Sequence, residues 1–349
     1  MKLQIEENIS LAEYTTLKIG GNARFFVEAN HENKIIEALR FAAENNLKIF
    51  ILGGGSNILI ADEGFDGLVL QIALKGISVK QNEGKITVTA NAGEDWDAFC
   101  KFCVAENLQG VECLSGIPGF VGGTPVQNVG AYGQEVSETI VSVRVFDRAE
   151  KRIVDLSNKD CGFTYRTSIF NTSERNRYVV TAVTFALERN GKPKIVYKDL
   201  REFFGDRTPN LQETRDAVLR IRAAKSMVID ASDPNSKSAG SFFKNPIVTK
   251  EKYAEVEKRA KNCGIESVPF FKTDEGKLKI PAAWLIENSG FHKGFRKGNA
   301  GISSRHTLAI INLGNATAKD ILELKDAIQA KVKAIFDVEL KPEPIFVGF

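Results

Sequence analysis

The chain has 349 residues, a hydrophobic content of 43%, a charged content of 26% and a formal net charge of +3, the balance of a soluble globular protein long enough for two or three domains. Lys and Arg alternate with Asp and Glu instead of gathering in a tract, which argues against nucleic acid as a partner. No apolar run reaches membrane-spanning length, the start Met1-Lys2-Leu3-Gln4-Ile5-Glu6-Glu7 lacks the basic and apolar regions of a secretory leader, and five cysteines without framework spacing argue against a disulfide scaffold, so a cytoplasmic protein without membrane insertion is expected.

In the first third, helix and strand patterns alternate. Apolar spacing predicts a helix over Glu32 to Asn45 and strands over Lys48 to Leu52, Asn57 to Ala61 and Leu68 to Ile72, a small α/β unit. From Ile77 to Leu187 strands dominate, at Ile86 to Ala90, Val141 to Asp147, Lys151 to Asp155 and Val179 to Leu187, with one helix over Trp96 to Asn107. That helix carries Cys100 and Cys103. No second pair or nearby His completes a zinc set, and a redox dithiol belongs at a helix start, so buried thiols are the favoured reading. Helices follow at Leu211 to Ala224, Lys252 to Cys263, Ala282 to Ser289 and Ala318 to Ala334. Asp230 to Lys237, rich in Ser, Asp and Pro, reads as a linker or mobile loop, and the Val338 to Val347 tail reads as an edge strand limited by Pro342 and Pro344.

Two glycine clusters stand out. Gly53-Gly54-Gly55-Ser56-Asn57 lies between two strand patterns, where bare backbone amides can cradle a phosphate. No helix opens after it, which separates it from the dinucleotide fingerprint of doubly wound folds. A plain hairpin turn is the simpler alternative. The second cluster, Leu114 to Gly133, holds six glycines and two prolines without a single charge. Solvated loops are polar and charged, so this composition suggests backbone pressed against a large, partly apolar ligand, with a tight structural crossover as the alternative. The two clusters flank the boundary between the α/β and strand-rich parts, a common location for a cofactor.

Three residues could carry chemistry. Ser241, in Ala239-Gly240-Ser241-Phe242-Phe243, would hold a hydroxyl in a dry, rigid setting suited to proton donation, although a serine capping a strand end is the plainer reading. Arg166, in Tyr165-Arg166-Thr167-Ser168, could grip a carboxylate in two parallel bonds, or could equally be a surface-paired strand arginine. Glu343 is fixed between Pro342 and Pro344, where a tail carboxylate is ordinarily solvated. The three histidines, His31, His292 and His306, have no metal spacing and the carboxylates form no calcium loop, so no metal is expected.

Thr16-Leu17-Lys18-Ile19-Gly20-Gly21-Asn22-Ala23, the Gly53 to Asn57 loop, Gly116-Ile117-Pro118-Gly119 with Gln127-Asn128-Val129-Gly130-Ala131-Tyr132-Gly133, Tyr165-Arg166-Thr167-Ser168-Ile169-Phe170 and Ala239-Gly240-Ser241-Phe242-Phe243-Lys244-Asn245-Pro246 occur in one order. Together they resemble the UDP-N-acetylenolpyruvylglucosamine reductase family, from about Asn8 to Phe349. The resemblance implies an α+β flavoenzyme with the FAD-binding fold of the vanillyl-alcohol-oxidase type: flavin subdomains over 1–75 and 76–230, the latter completed by the C-terminal strand 336–349, and a substrate domain over 231–335.

The same resemblance implies non-covalent FAD, since no histidine lies in either loop, against Gly53, Gly54, Gly55, Ser56, Asn57, Ser115, Gly116, Ile117, Pro118, Gly119, Gly122, Gly123, Gln127, Asn128, Gly130, Ala131 and Tyr132. It further implies NADPH as hydride donor and reduction of the enolpyruvyl sugar nucleotide to UDP-N-acetylmuramate for peptidoglycan, hence roles in cell shape and division. Ser241 would be the proton donor, and Arg166 and Glu343 would stabilise the enol-like intermediate. Tyr197, Lys225, Lys244 and Asn245 match substrate segments, with Tyr197 marking the subgroup that keeps an extra loop over the nucleotide. Glu287-Asn288 departs from the Asp-Gln of some members and is left outside the site. A monomer is expected. The rivals are a flavin oxidase using another alcohol and oxygen, and a colourless, catalytically silent nucleotide-binding protein.

Overall fold

The computed structural model describes residues 3–82, 85–273 and 275–349; Met1 and Lys2, part of the N-terminal stretch read for a leader, lie outside the described residues. Backbone proximity divides the chain into two compact units: Met1–Ile9, Ala23–Gly55 and Asp66–Val228 form the first, and Ser10–Asn22, Ser56–Phe65 and Ile229–Phe349 form the second.

The first unit contains two sheets. Glu6–Ser10, Asn22–Ala29, Phe65–Ile72 and Lys48–Leu52 lie side by side in that order, with Lys48–Leu52 parallel to Phe65–Ile72. The helix Glu32–Glu44 buries Ile35, Ala38 and Ala42 and is capped by His31, whose ring accepts from Lys34 N–H. The larger sheet runs Arg152–Ser157, Ile140–Asp147, Tyr178–Arg189, Lys85–Asn91, Ile77–Asn82, antiparallel throughout. Val143, Val145, Val183 and Phe185 face the core. Onto them packs the helix Trp96–Ala105, capped by Asp95 and anchored through Trp96, whose indole N–H donates to Leu114 O at 3.0 Å and whose ring lies 5.4 Å from Phe99 and 5.9 Å from Phe185. Cys100 and Cys103 are buried in the same face.

In the second unit the helix Ala318–Phe336 buries Ala318, Ile321, Leu324, Ile328, Val332 and Phe336, a stripe at helical spacing. Thr317 and Asp320 form a capping box, and the Asp62 carboxylate accepts from the N–H groups of Ala318 and Lys319, placing negative charge at the positive end of the helix. The apolar stripe joins a core with Leu17, Ile19, Leu59, Phe242, Phe243, Leu285 and Ile302.

The predicted helices and strands occur with shifted ends, the tail strand shortened to Ile345–Val347, but among the described strands of five or more residues three escaped prediction, Glu6–Ser10, Asn22–Ala29 and Ile77–Asn82, as did the helix Lys198–Phe204. Glu6–Ser10 and Ile77–Asn82 carry too few apolar residues to show a clear period of two. Two further expectations change. The strands flanking Gly53 to Asn57 do not form a hairpin: Lys48–Leu52 pairs with Phe65–Ile72, whereas Ile58–Ile60 pairs in parallel with Ile345–Val347. The tail strand therefore joins Ile58–Ile60 instead of completing the strands of 76–230. Asp230 to Lys237, read as a linker or mobile loop, directly follows the boundary between the two units at Val228 and Ile229 and carries local turns in which Ser232 and Ser236 bond back to Asp230 and Asn235 bonds back to Asp233.

Candidate active site

The two glycine loops touch backbone to backbone within the first unit. A Cβ placed on Gly54 would sit 2.7 Å from Gly119 Cα and 3.0 Å from Phe120 N, so only glycine permits this approach. On Gly53 and Gly123 an added Cβ would meet nothing within 4 Å. Among the described residues no hydrogen bond takes the N–H of Gly54, Gly55, Ile117 or Gly119. Backbone donors left open on glycine-rich loops that approach each other at Gly54 and Gly119 suit an anionic diphosphate, so the residues present fit a flavin dinucleotide.

Other predicted cofactor contacts are engaged within the protein. The Ser115 hydroxyl donates to Glu112 O, and Gly116 N–H donates to Asp97 Oδ1 at 2.6 Å. Gly122 lies against Ala92, where a Cβ would meet another at 2.6 Å. Asn128 is buried, donates to Glu135 and Thr164 O and accepts from Ser137 N–H. Pro118 and Gln127 stay partly exposed. Gly130 and Ala131 pair with Glu135 and Gln134. In the second unit, Ser56 is partly exposed, while Asn57 Nδ2 donates to Glu343 O and its own carbonyl accepts from Ile345 N–H.

Arg166 is not a strand arginine. It sits at φ +54 in a turn closed by mutual bonds between Thr164 and Thr167, a conformation uncommon outside glycine. Its guanidinium donates to Gly130 O at 2.7 Å and lies 5.2 Å from the Tyr165 ring centre, which ties it to the second glycine loop.

Tyr132, Tyr197 and Lys225 come together in the first unit. The two tyrosine rings meet edge to face at 5.5 Å, and Lys225 Nζ lies 6.0 Å from the Tyr132 ring centre. Lys225 also pairs with Asp199 at 2.5 Å; burial opposes its charge more than any single contact favours it, but the bond to Asp199 together with the charges of Tyr132, Asp199 and Tyr197 outweighs this and its pKa rises. Burial raises the Tyr132 pKa.

Two arginines behind the loops were not foreseen. In the helix Leu211–Ala224, held by an Asn210/Glu213 capping box, Arg215 and Arg222 are 5% and 7% exposed and lie on the same face as Val218. Arg215 makes two bonds of 2.7 Å to the Asp97 carboxylate. Burial would raise the Asp97 pKa, yet this fork and Gly116 N–H bring it below the ordinary value. Arg222 donates to Gly116 O and Met227 O, and burial lowers its pKa. Two arginines seven apart on an apolar helix face were the available signal.

The second unit brings together Ser241, Glu343 and an unforeseen histidine. Phe242 N–H donates to Leu308 O at 2.7 Å, and Phe242 O accepts from Glu343 N–H at 2.9 Å. Ser241 Oγ lies 3.3 Å from His306 Nε2. Lys244 N–H donates to Lys341 O on the same pair of segments. The Asn245 side-chain carbonyl is taken by Ala282 N–H at the start of the helix Ala282–Glu287. Among the described residues no group of His, Cys, Asp and Glu could hold a metal ion.

Similarity to known proteins spans this whole arrangement. A family model for the FAD binding domain matches residues 23–157, and one for the UDP-N-acetylenolpyruvoylglucosamine reductase C-terminal domain matches residues 233–347. The UDP-N-acetylenolpyruvoylglucosamine reductase of Thermobifida fusca is 44% identical over 100% of this chain and 99% of that protein. The chain belongs to the UDP-N-acetylenolpyruvoylglucosamine reductase family. The reductase of that name from Streptomyces coelicolor is 44% identical over 97% of this chain and 89% of its own length. The crystal structure of UDP-N-acetylenolpyruvylglucosamine reductase from Thermus caldophilus superposes with a TM-score of 0.68 at 26% identity, covering 99% of both chains. This family member is an FAD-containing oxidoreductase of α+β fold, as expected. Among the described residues no helix is long and apolar enough to cross a membrane.

Proposed function

We propose that the protein reduces UDP-N-acetylglucosamine enolpyruvate to UDP-N-acetylmuramate with NADPH as hydride donor, in the cytoplasmic synthesis of peptidoglycan precursors. Family membership supports the substrate, and the approach of Gly54 to Gly119, with donors left open beside it, is the structural observation that carries the cofactor. Bound FAD would relay the hydride from nicotinamide to the terminal vinyl carbon. Gly53 to Asn57 and the Ser115 to Tyr132 loop would hold the dinucleotide without a covalent link. Ser241 would protonate the carbon adjacent to the carboxylate. Arg166 and Glu343 would hold the negative charge that develops there, Arg166 with a guanidinium already fixed against Gly130 O at 2.7 Å. Tyr197, Lys225, Lys244 and Asn245 would contact the sugar nucleotide. Residues 1–75 and 76–230 would serve as flavin subdomains and 231–335 as the substrate domain.

An anaerobic absorption experiment tests this reading. The purified protein should be yellow, bleach with NADPH and recover its colour only with the enolpyruvyl sugar nucleotide. Recovery with air alone would indicate an oxidase. Failure to bind FAD even on reconstitution would overturn the reading.

A further inference from the structure

The histidine beside Ser241 has no part in the reaction described so far. Among the described residues His306 Nε2, at 3.3 Å, is the sole hydrogen-bond partner of Ser241 Oγ. The contact is built into the backbone. Ser238 pairs with Ile311, Asn312 N–H donates to Lys237 O and Phe242 N–H donates to Leu308 O, so residues 237–242 run antiparallel beside 308–312. The His306 peptide is closed by Ala309 N–H donating to its carbonyl at 3.0 Å. On either side, Arg305 N–H donates to Ser303 Oγ and the buried Thr307 hydroxyl donates to Glu287 Oε1 in the helix Ala282–Glu287. Neither Ser241 nor His306 is fully buried, whereas Phe242 and Phe243 beside them are 0% and 2% exposed. Fixed backbones and partial exposure keep the pair in place yet within reach of a ligand.

We propose that His306 is a positioning residue for Ser241, with its proton on Nε2 and donated to Oγ. An Oγ that accepts from His306 turns its own O–H away from the ring, leaving that proton free for the substrate carbon. As the new C–H bond forms, the Ser241 O–H bond breaks, its electron pair stays on Oγ, and the His306 N–H bond stabilises the resulting alkoxide until solvent returns a proton. An alkoxide without a donor would be a far poorer leaving base for this transfer. The inference rests on Ser241 being the proton donor.

The test uses holoenzyme reduced with NADPH and mixed anaerobically with UDP-N-acetylglucosamine enolpyruvate, following flavin reoxidation. His306→Ala should slow reoxidation by about 30-fold to 300-fold and leave flavin reduction by NADPH within about twofold of the parent. His306→Gln, which keeps an N–H donor at a similar reach, should recover at least about tenfold of that loss. In a Ser241→Ala background, His306→Ala should add almost nothing, because it acts through Oγ. Parent-like reoxidation in His306→Ala, no recovery in His306→Gln relative to His306→Phe, or full additivity with Ser241→Ala would each overturn the positioning role. If His306→Ala fails to fold, the Gln and Phe variants decide by the same comparison. Parent-like reoxidation in Ser241→Ala alone would instead overturn the donor assignment beneath it.

Discussion

The glycine loops of the first unit and the Ser241 segment of the second, the two places proposed to meet a ligand, present their polar groups with different material. Around Gly54 and Gly119 the donors are backbone N–H groups, and the essential feature is the lack of a side chain where two main chains meet at 2.7 Å from a would-be Cβ. Around Ser241 the polar groups are side chains, and the backbone serves as the frame, with Phe242 bonded on one side to Leu308 and on the other to Glu343. A site made of backbone is therefore vulnerable to added atoms. A site made of side chains on a fixed frame is vulnerable to removed ones.

The largest effect should come from removing an atom. Ser241→Ala should slow flavin reoxidation by the enolpyruvyl substrate by about 10²-fold to 10⁴-fold, the range of a lost general acid, while reduction by NADPH stays nearly intact. Equal loss in both half-reactions would place Ser241 among structural residues and erase the contrast with the loops.

Adding an atom gives the next largest effect. Gly54→Ala forces its Cβ against backbone that cannot rotate away, and overpacking of this kind costs about 1–3 kcal/mol. The variant should purify with little flavin and a lowered apoprotein melting temperature. Gly53→Ala, whose Cβ meets nothing within 4 Å, should leave apoprotein stability within about 0.5 kcal/mol and weaken FAD alone. Equal apoprotein melting in the two variants would show that loop contact does not govern this region.

The same contrast explains what the sequence made readable. Glycine-rich loops advertise themselves, since a run such as Gly53-Gly54-Gly55 or an uncharged stretch such as Leu114 to Gly133 departs from ordinary loop composition. Alternating or helical apolar spacing likewise located Lys48–Leu52 and Leu211–Ala224 to the residue. Pairing was another matter. Ile58–Ile60 finds its partner at Ile345–Val347, near the far end of the chain, and His306 meets Ser241 across 65 residues, distances at which no local pattern carries information. Arg166 shows a third kind of gap, because its positive φ is set by the Thr164 to Thr167 turn and its bond to Gly130 O, not by its own preference. Asn128, which the resemblance places beside the cofactor, has its side-chain amide satisfied by Glu135, Thr164 and Ser137, an internal role that no local pattern announces.

Behind the second glycine loop, a charge pair holds the backbone that the loops depend on. Asp97 accepts from Gly116 N–H and from Arg215, which is 6% exposed at its side chain, while Asp97 itself is 35% exposed. Removing one partner of a buried pair costs about 3–5 kcal/mol, and the open side of Asp97 reduces this, so Asp97→Asn should cost about 2 kcal/mol at neutral pH. Because the folded pKa of Asp97 lies below the unfolded value of about 3.9, its stabilisation is fully present above that value and fades as pH falls through the folded one. Denaturation at fixed FAD should therefore show the gap between parent and variant closing below about pH 4. A gap independent of pH would remove Asp97 as the charged clamp on Gly116.

The smallest effect concerns thiols, and it separates the two units without touching either site. Cys100, Cys103, Cys113 and Cys161 of the first unit are buried, whereas Cys263 of the second is exposed. Burial pushes the Cys161 thiol up to about 12 and raises the other three buried thiols as well, so little thiolate exists at neutral pH to react. A chromogenic disulfide reagent should therefore modify one thiol quickly in the native protein and all five only after unfolding. Blocking that single thiol should leave flavin content and turnover unchanged, since Cys263 is exposed at the C-terminal end of the helix Lys250–Asn262, an element that supplies no residue of either proposed site. Rapid modification of Cys100 and Cys103 in the folded protein would show that the first unit opens readily at its core, and would turn the Cys-x-x-Cys pair from packing into an accessible dithiol.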